Sequence, residues 1–165
     1  MKTYIVIDVE SNGPIPGDYS MTSFGAVVVD EKMDKTFRVN VKPISDKFHE
    51  DRLKYVDSRD AIDPKTAMKN FKAWILENVK GKPVVFSDNN GYDWMFVCWY
   101  FWHFLDENPL GHNSQNINSL YKGVMKDMEV NIGVLRSKEL THDALDDAVE
   151  NAVILQNIIG EAKQN

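Results

Sequence analysis

The stretch Tyr4-Ile5-Val6-Ile7-Asp8-Val9-Glu10-Ser11 limits the possible folds more than any other part of the chain. Thr3 to Val9 is rich in β-branched and aromatic residues and reads as a buried strand. The apolar residues ahead of Asp8 place that strand near the centre of a sheet. Its end nevertheless carries two carboxylates. Side chains two apart on a strand point to the same face, so Asp8 and Glu10 project together. Unpaired buried charge is strongly destabilising, so the fold must neutralise this pair, and metal ions do so directly. The plain alternative is a strand that runs out into solvent at Asp8. The Asp-x-Glu spacing is common and does not decide between them.

The elements that follow can cover such a strand. Ser23 to Val29 and Thr36 to Val41 read as the second and third strands of an antiparallel meander, joined by the polar turn Asp30 to Lys35. In the third, Phe37, Val39 and Val41 point inward and Arg38 and Asn40 outward. Asp63-Pro64 opens a helix with proline at its first position, and Ala67, Phe71, Trp74, Ile75 and Val79 form its apolar stripe. Lys80 to Pro83 stops it, and Val84 to Ser87 is a fourth strand. Tyr92 to Leu105 is a very apolar helix, Ser119 to Met128 a short one. The last runs from about Asp143 to Ala162, with Leu145, Val149, Ala152, Leu155 and Ile159 on one face. No internal repeat or linker interrupts the order, so residues 1–165 read as one α/β domain.

Composition removes several functional classes. The chain has 165 residues, and a domain of that size buries about 68–70% of its unfolded surface. No apolar run approaches the ~20 residues of a membrane helix. The aspartate early in the N-terminal stretch is unlike a secretory signal, so the expected location is cytoplasmic. Cys98 is the only cysteine and lies in an apolar stretch, which excludes an internal disulfide and a cysteine-based zinc cluster. The net charge is −6, with 25 acidic against 19 basic residues. That argues against a protein gripping long duplexes through a broad basic face. It is compatible with carboxylates gathered around cations, and with a short or single-stranded substrate held near its end.

Two further segments carry acids beside apolar structure. Asp93, in Ser87-Asp88-Asn89-Asn90-Gly91-Tyr92-Asp93, follows a strand and opens the aromatic helix. An acid in a first helical turn is favoured by the helix dipole, so a capping role is the simple reading. Its neighbours Tyr92, Trp94 and Phe96 put it against a core. The third segment is Thr141 to Ala148 (THDALDDA), at the mouth of the last helix. A histidine beside aspartates can shuttle protons near neutral pH; the plain reading is a helix cap with a bystander His142. Periodicity leaves Asp146 and Asp147 undecided.

The three segments together, in this order, resemble the DEDD exonuclease superfamily, in its histidine-containing branch with RNase T and oligoribonuclease. DVESNG is similar to that family's first motif, DNNGYD to the second, and HDALDD to the third. The His-x(4)-Asp spacing of the third selects Asp147 over Asp146. The second strand SFGAVVVD also matches, and the likeness runs from Tyr4 to about Leu155. Two departures stand out. Asp88 replaces the histidine that usually opens the second motif, while Asn89 is kept. The connection from Gly13 to Thr22 is also longer and richer in Pro and Gly, and reads as a loop at the rim of the site.

The resemblance implies an RNase H-like fold, a mixed sheet of about five strands flanked by helices. It implies a 3′–5′ exonuclease releasing nucleoside 5′-monophosphates from single-stranded or short RNA or DNA. Asp8, Glu10, Asp93 and Asp147 would hold two Mg2+ or Mn2+ ions, and His142 would act as general base. Ions roughly 3.5–4 Å apart bind the attacking and leaving oxygens of a phosphoryl displacement, and hard oxygen ligands suit these metals. Ser11, Asn12, Gly13 and Asn89 are the implied substrate contacts. Two rivals remain: a dinucleotide phosphodiesterase on the same site, and a non-catalytic nucleic-acid-binding module, which the presence of every acid disfavours. The helix Tyr92 to Leu105 reads as core, with a homodimer patch second.

Overall fold

The first strand does sit at the centre. The computed structural model describes residues 1–50 and 60–162, and its sheet has the order β3-β2-β1-β4-β5. Strand β1 (Lys2–Ser11) pairs antiparallel with β2 (Met21–Val28) and parallel with β4 (Lys82–Ser87). Strand β3 (Thr36–Asn40) extends the antiparallel side, and β5 (Ser114–Asn116) the parallel side. The expected mixed sheet of five strands flanked by helices is what forms.

Alternation along β1 assigns its residues to two cores. Ile5, Ile7 and Val9 face α1 (Pro64–Asn78) and α2 (Asn90–Leu105), meeting Phe71, Ile75, Phe96 and Tyr100. Val6 faces the other way, toward α3 (Ile117–Met125) and α4 (Ala144–Ala162), among Val27, Phe86, Ala148 and Leu155. Asp8 and Glu10 continue the even-numbered face, so they emerge beneath α4. The strand runs two residues beyond Val9, to Ser11, and keeps both acids inside the sheet. A register shift between Glu10 and Ser11 then bends the strand at the edge of the site.

Local chemistry explains most element ends. Asp63 caps α1, accepting from the Thr66 amide at 3.0 Å with Pro64 in the first turn, and the helix ends ahead of Gly81 at φ +75°. Helix α2 stops at Asp106, which takes up the left-handed region. Phe96, Val97, Tyr100 and Phe101 are core, as expected, while Trp102 is exposed. The short helix begins two residues earlier than its pattern predicted, at Ile117, because the Asn116 side chain caps it through the Ser119 amide at 2.6 Å.

Two readings need correction. The buried face of α4 is formed by Ala144, Ala148, Ala152, Ile154, Leu155 and Ile158, whereas Leu145, Val149 and Ile159 are only half-buried. Small alanines let the helix lie close on β1 and β2, and the larger side chains flank it. Strand β5 and a 3-10 turn at Ile132–Leu135 were not anticipated. No helix of the described residues is long and apolar enough to cross a membrane.

Candidate active site

One line across the sheet organises the site. Asp8 on β1 pairs with Gly25 on β2, and Gly25 pairs with Arg38 on β3. The first turn of α4 crosses above this line. A Cβ on Gly25 would stand 2.5 Å from both the Ala144 carbonyl oxygen and the Leu145 Cα. Only glycine permits this approach. Asp143 ties the start of the helix to the third strand: its carboxylate accepts from the amides of Leu145 and Asp146 and pairs with Arg38 at 2.6 Å. Asp147, one turn further on, is thereby delivered over Asp8.

The four acids of the sequence reading converge. Asp8, Glu10, Asp93 and Asp147 are 9%, 5%, 3% and 2% exposed. Asp147 is the buried member of its pair and Asp146 the exposed one, so the fold separates what periodicity could not. The Asp147 carboxylate accepts from the Thr141 amide (2.9 Å), the Thr141 hydroxyl (3.0 Å) and the His142 amide (2.9 Å). Asp93, in the first turn of α2, accepts from the Val9 amide at 3.0 Å, which fixes that helix against β1 between Asp8 and Glu10. The His142 ring is partly exposed, with Nδ1 3.7 Å from Glu10 Oε1, on a backbone at φ +57°. One ligand atom each from Glu10, His142 and Asp147 lies within 4.8 Å of the others.

The electrostatics are those of buried carboxylates crowded together. Burial drives the Asp8 carboxyl well above the usual carboxylate range, and repulsion from Asp93, Asp88, Glu10 and Asp147 adds to it. Asp93 is pushed up to about 8, first by burial and then by Asp88. No described lysine or arginine forms an ion pair with Asp8, Asp93 or Asp147. Asp93 Oδ2 is buried without a hydrogen-bond partner among the described residues. The four carboxylates offer hard oxygen ligands of the kind divalent cations favour.

The remaining predicted residues are placed as follows. Ser11 is buried and joined to the Tyr92 hydroxyl and the Gly13 carbonyl. Asn12 is buried, and its side chain accepts from the Ser20 amide at 2.7 Å. Gly13 lies under the Tyr19 ring, whose atoms a Cβ would meet at 2.0 Å. These three build the rim and hold the Pro/Gly-rich loop, which packs on α2 where Gly17 (φ +91°) meets Trp99. Asn89 is exposed ahead of α2. Asp88 forms an ion pair with Arg136 at 2.7 Å. Sequence reasoning overlooked Arg136; a lone arginine in a polar stretch carries no pattern to single it out.

A family model described as an exonuclease, of the RNase T type, matches residues 5–155. The chain belongs to the exonuclease family. This exonuclease is 36% identical over 175 positions to the 3′–5′ DNA exonuclease Cap18 of Escherichia coli, covering 95% of this chain and 91% of that protein. Among solved structures it is similar to E. coli exonuclease I in complex with a dA16 oligonucleotide, with a TM-score of 0.73 at 11% identity over 99% of the chain. It is also similar to apo exonuclease I, with a TM-score of 0.71 at 12% identity. It spans only 42% and 44% of those chains, and at such identities the likeness shows the fold, which is RNase H-like. The expectation of a hydrolytic exonuclease is borne out.

Proposed function

We propose that this exonuclease shortens single-stranded DNA from its 3′ end, releasing nucleoside 5′-monophosphates, with two Mg2+ or Mn2+ ions held by Asp8, Glu10, Asp93 and Asp147. The observation that carries this reading is the convergence of four buried acids from β1, α2 and α4, three of which have no lysine or arginine partner among the described residues. The 3′–5′ direction is supported by the 36% identical relative, a 3′–5′ DNA exonuclease, and the single-stranded substrate by the dA16 oligonucleotide in the exonuclease I complex. The net charge of −6 agrees with a strand held near its end rather than along a duplex. In this reading residues 1–165 are one exonuclease domain that carries every site residue.

When bound, the two ions polarise the scissile phosphate and stabilise charge on the attacking and leaving oxygens. Asp8 would serve both ions, Glu10 and Asp147 would complete one site, and Asp93 would support the other. His142 accepts the proton of the attacking water as the new P–O bond forms. The bond from phosphorus to the 3′ oxygen breaks, and that oxygen takes a proton from solvent. Glu10, 3.7 Å from His142 Nδ1, stabilises the imidazolium that results. Ser11, Asn12 and Gly13 keep the rim in shape, and exposed Asn89 contacts the terminal nucleotide.

The grouping of Glu10, His142 and Asp147 within 4.8 Å favours a second reading, in which His142 ligates a metal ion instead. The two differ in whether His142 governs turnover or metal affinity. The proposed reaction is tested with end-labelled DNA and RNA strands of graded length, with magnesium or with a chelator. Stepwise shortening from the 3′ end, metal-dependent and blocked by a 3′ cap, is expected. Internal cuts on a circular strand, or activity in full chelation, overturn it. Turnover of dinucleotides alone would instead identify a dinucleotide phosphodiesterase.

A further inference from the structure

His142 lies at the far end of a segment that runs from the 3-10 turn to α4. That segment is held at two places. Near His142, the amides of Thr141 and His142 donate to Asp147. At the other end, Arg136 Nη2 donates to Asp88 Oδ2 at 2.7 Å and to Asn151 Oδ1 at 3.0 Å, and Ser137 donates from its amide and hydroxyl to the Glu150 carboxylate at 2.6 to 3.1 Å. Lys138, Glu139 and Leu140 between them are exposed. Arg136 is thus the residue that fastens this segment to the start of the second motif, where Asp88 stands in place of the usual histidine.

Three properties separate Arg136 from an ordinary surface ion pair. The side chains of Arg136 and Asp88 are only 13% and 21% exposed, so the bond lies in a low-dielectric setting. One guanidinium nitrogen reaches acceptors on two different elements, the β4–α2 turn and α4, from a rigid planar group, whereas a lysine ammonium is a rotating point charge on a flexible stem. Finally, Nη1 is buried with no hydrogen-bond partner among the described residues. An unsatisfied buried donor costs stability, so this arginine is poorly suited to serve stability alone.

We propose that Arg136 is a positioning residue for His142: through Asp88 and Asn151 it sets where the histidine-bearing segment stands over the metal-binding acids. This rests on the reading of His142 as general base. The competing explanation is charge, since Asp88 adds a carboxylate beside Asp8 and Asp93 and Arg136 offsets it. A double-mutant cycle separates the two. Arg136→Ala should lower kcat by about 10²-fold, the loss expected when a catalytic group moves by about 1 Å, with KM for a single-stranded DNA substrate unchanged.

Added to His142→Ala, the same substitution should slow single-turnover hydrolysis less than about twofold, because its effect is already spent. Arg136→Lys keeps the charge but not the two-acceptor geometry and should remain impaired. If Arg136→Ala does not fold, as judged by its melting in chelator, Arg136→Lys takes its place in the cycle. Full activity in Arg136→Lys, or losses that multiply in the double mutant, overturns the proposal. Failure of the general-base reading shows separately, as His142→Ala alone retaining more than about a tenth of turnover.

Discussion

Gly25→Ala tests whether the approach of α4 to β2 places Asp147. The added methyl would stand 2.5 Å from the Ala144 oxygen and the Leu145 Cα, and 2.6 Å from the Ala144 carbonyl carbon. Carbon contacts are comfortable at about 3.5–4.0 Å, so the first turn of α4 must withdraw by about 1 Å. Backbone is what the methyl meets, so no rotamer change relieves it. Forced methylenes of this kind cost about 1–3 kcal/mol, and for a chain of this size each kcal/mol is worth about 2–4 °C of melting temperature. A melt lowered by roughly 2–12 °C is therefore expected. Asp147 moves with the turn, and a displacement of that size lowers the rate about 10²-fold. Gly160→Ala is the control in the same helix: nothing lies within 4 Å of its Cβ, and alanine in a helix adds about 0.5–1 kcal/mol. Melting is followed by circular dichroism and hydrolysis on a 3′-end-labelled strand. A Gly25→Ala protein with wild-type melting and wild-type rate would refute the assignment of Gly25 to the seating of α4.

His142→Ala should cut turnover by about 10²–10⁴ while magnesium titrations stay near wild type; weakened magnesium affinity would instead make the histidine a ligand. Asp147→Asn should abolish hydrolysis with the fold intact while Asp146→Asn keeps most of it, and the reverse order would show the third motif displaced by one residue. Asp93, raised to about 8, binds its proton more tightly folded than unfolded. Its contribution to the stability of metal-free protein is therefore complete below about pH 4 and lost as pH rises through about 8. Denaturation midpoints in chelator should fall across that window and recover with magnesium; a flat profile would argue against the crowding of acids described for the site.

Much of this was legible because β-branched runs and acid spacing are local properties. Tyr4 to Glu10 shows its own centrality and the shared face of its two carboxylates without reference to the rest of the chain. Four features were not legible, each because it depends on a distant partner. Ser114 to Asn116 is a strand only through β4, since three polar residues carry no alternation of their own. The register of α4 was misjudged because Leu145, Val149 and Ile159 outweigh alanines in any apolar stripe, while Ala144, Ala148 and Ala152 allow the closest packing. Asp147 had to be chosen by motif spacing, because a buried acid off the stripe is indistinguishable from an exposed one until a sheet lies beneath it. The Arg136–Asp88 pair joins residues far apart in the chain, and nothing local announces it.

The first strand and the last described helix each supply part of one cluster of buried acids, and that bears on when the enzyme can act. A chain leaving the ribosome exposes Asp8 and Glu10 early, but β1 gains its parallel neighbour only after α1 and β4 have followed. Asp147 arrives later still, on α4. A domain generally folds as a unit during synthesis, and a partly made chain has too few acids to assemble the cluster. A nuclease built this way cannot attack nucleic acid beside its own site of synthesis until nearly the whole described fold has closed around its central strand.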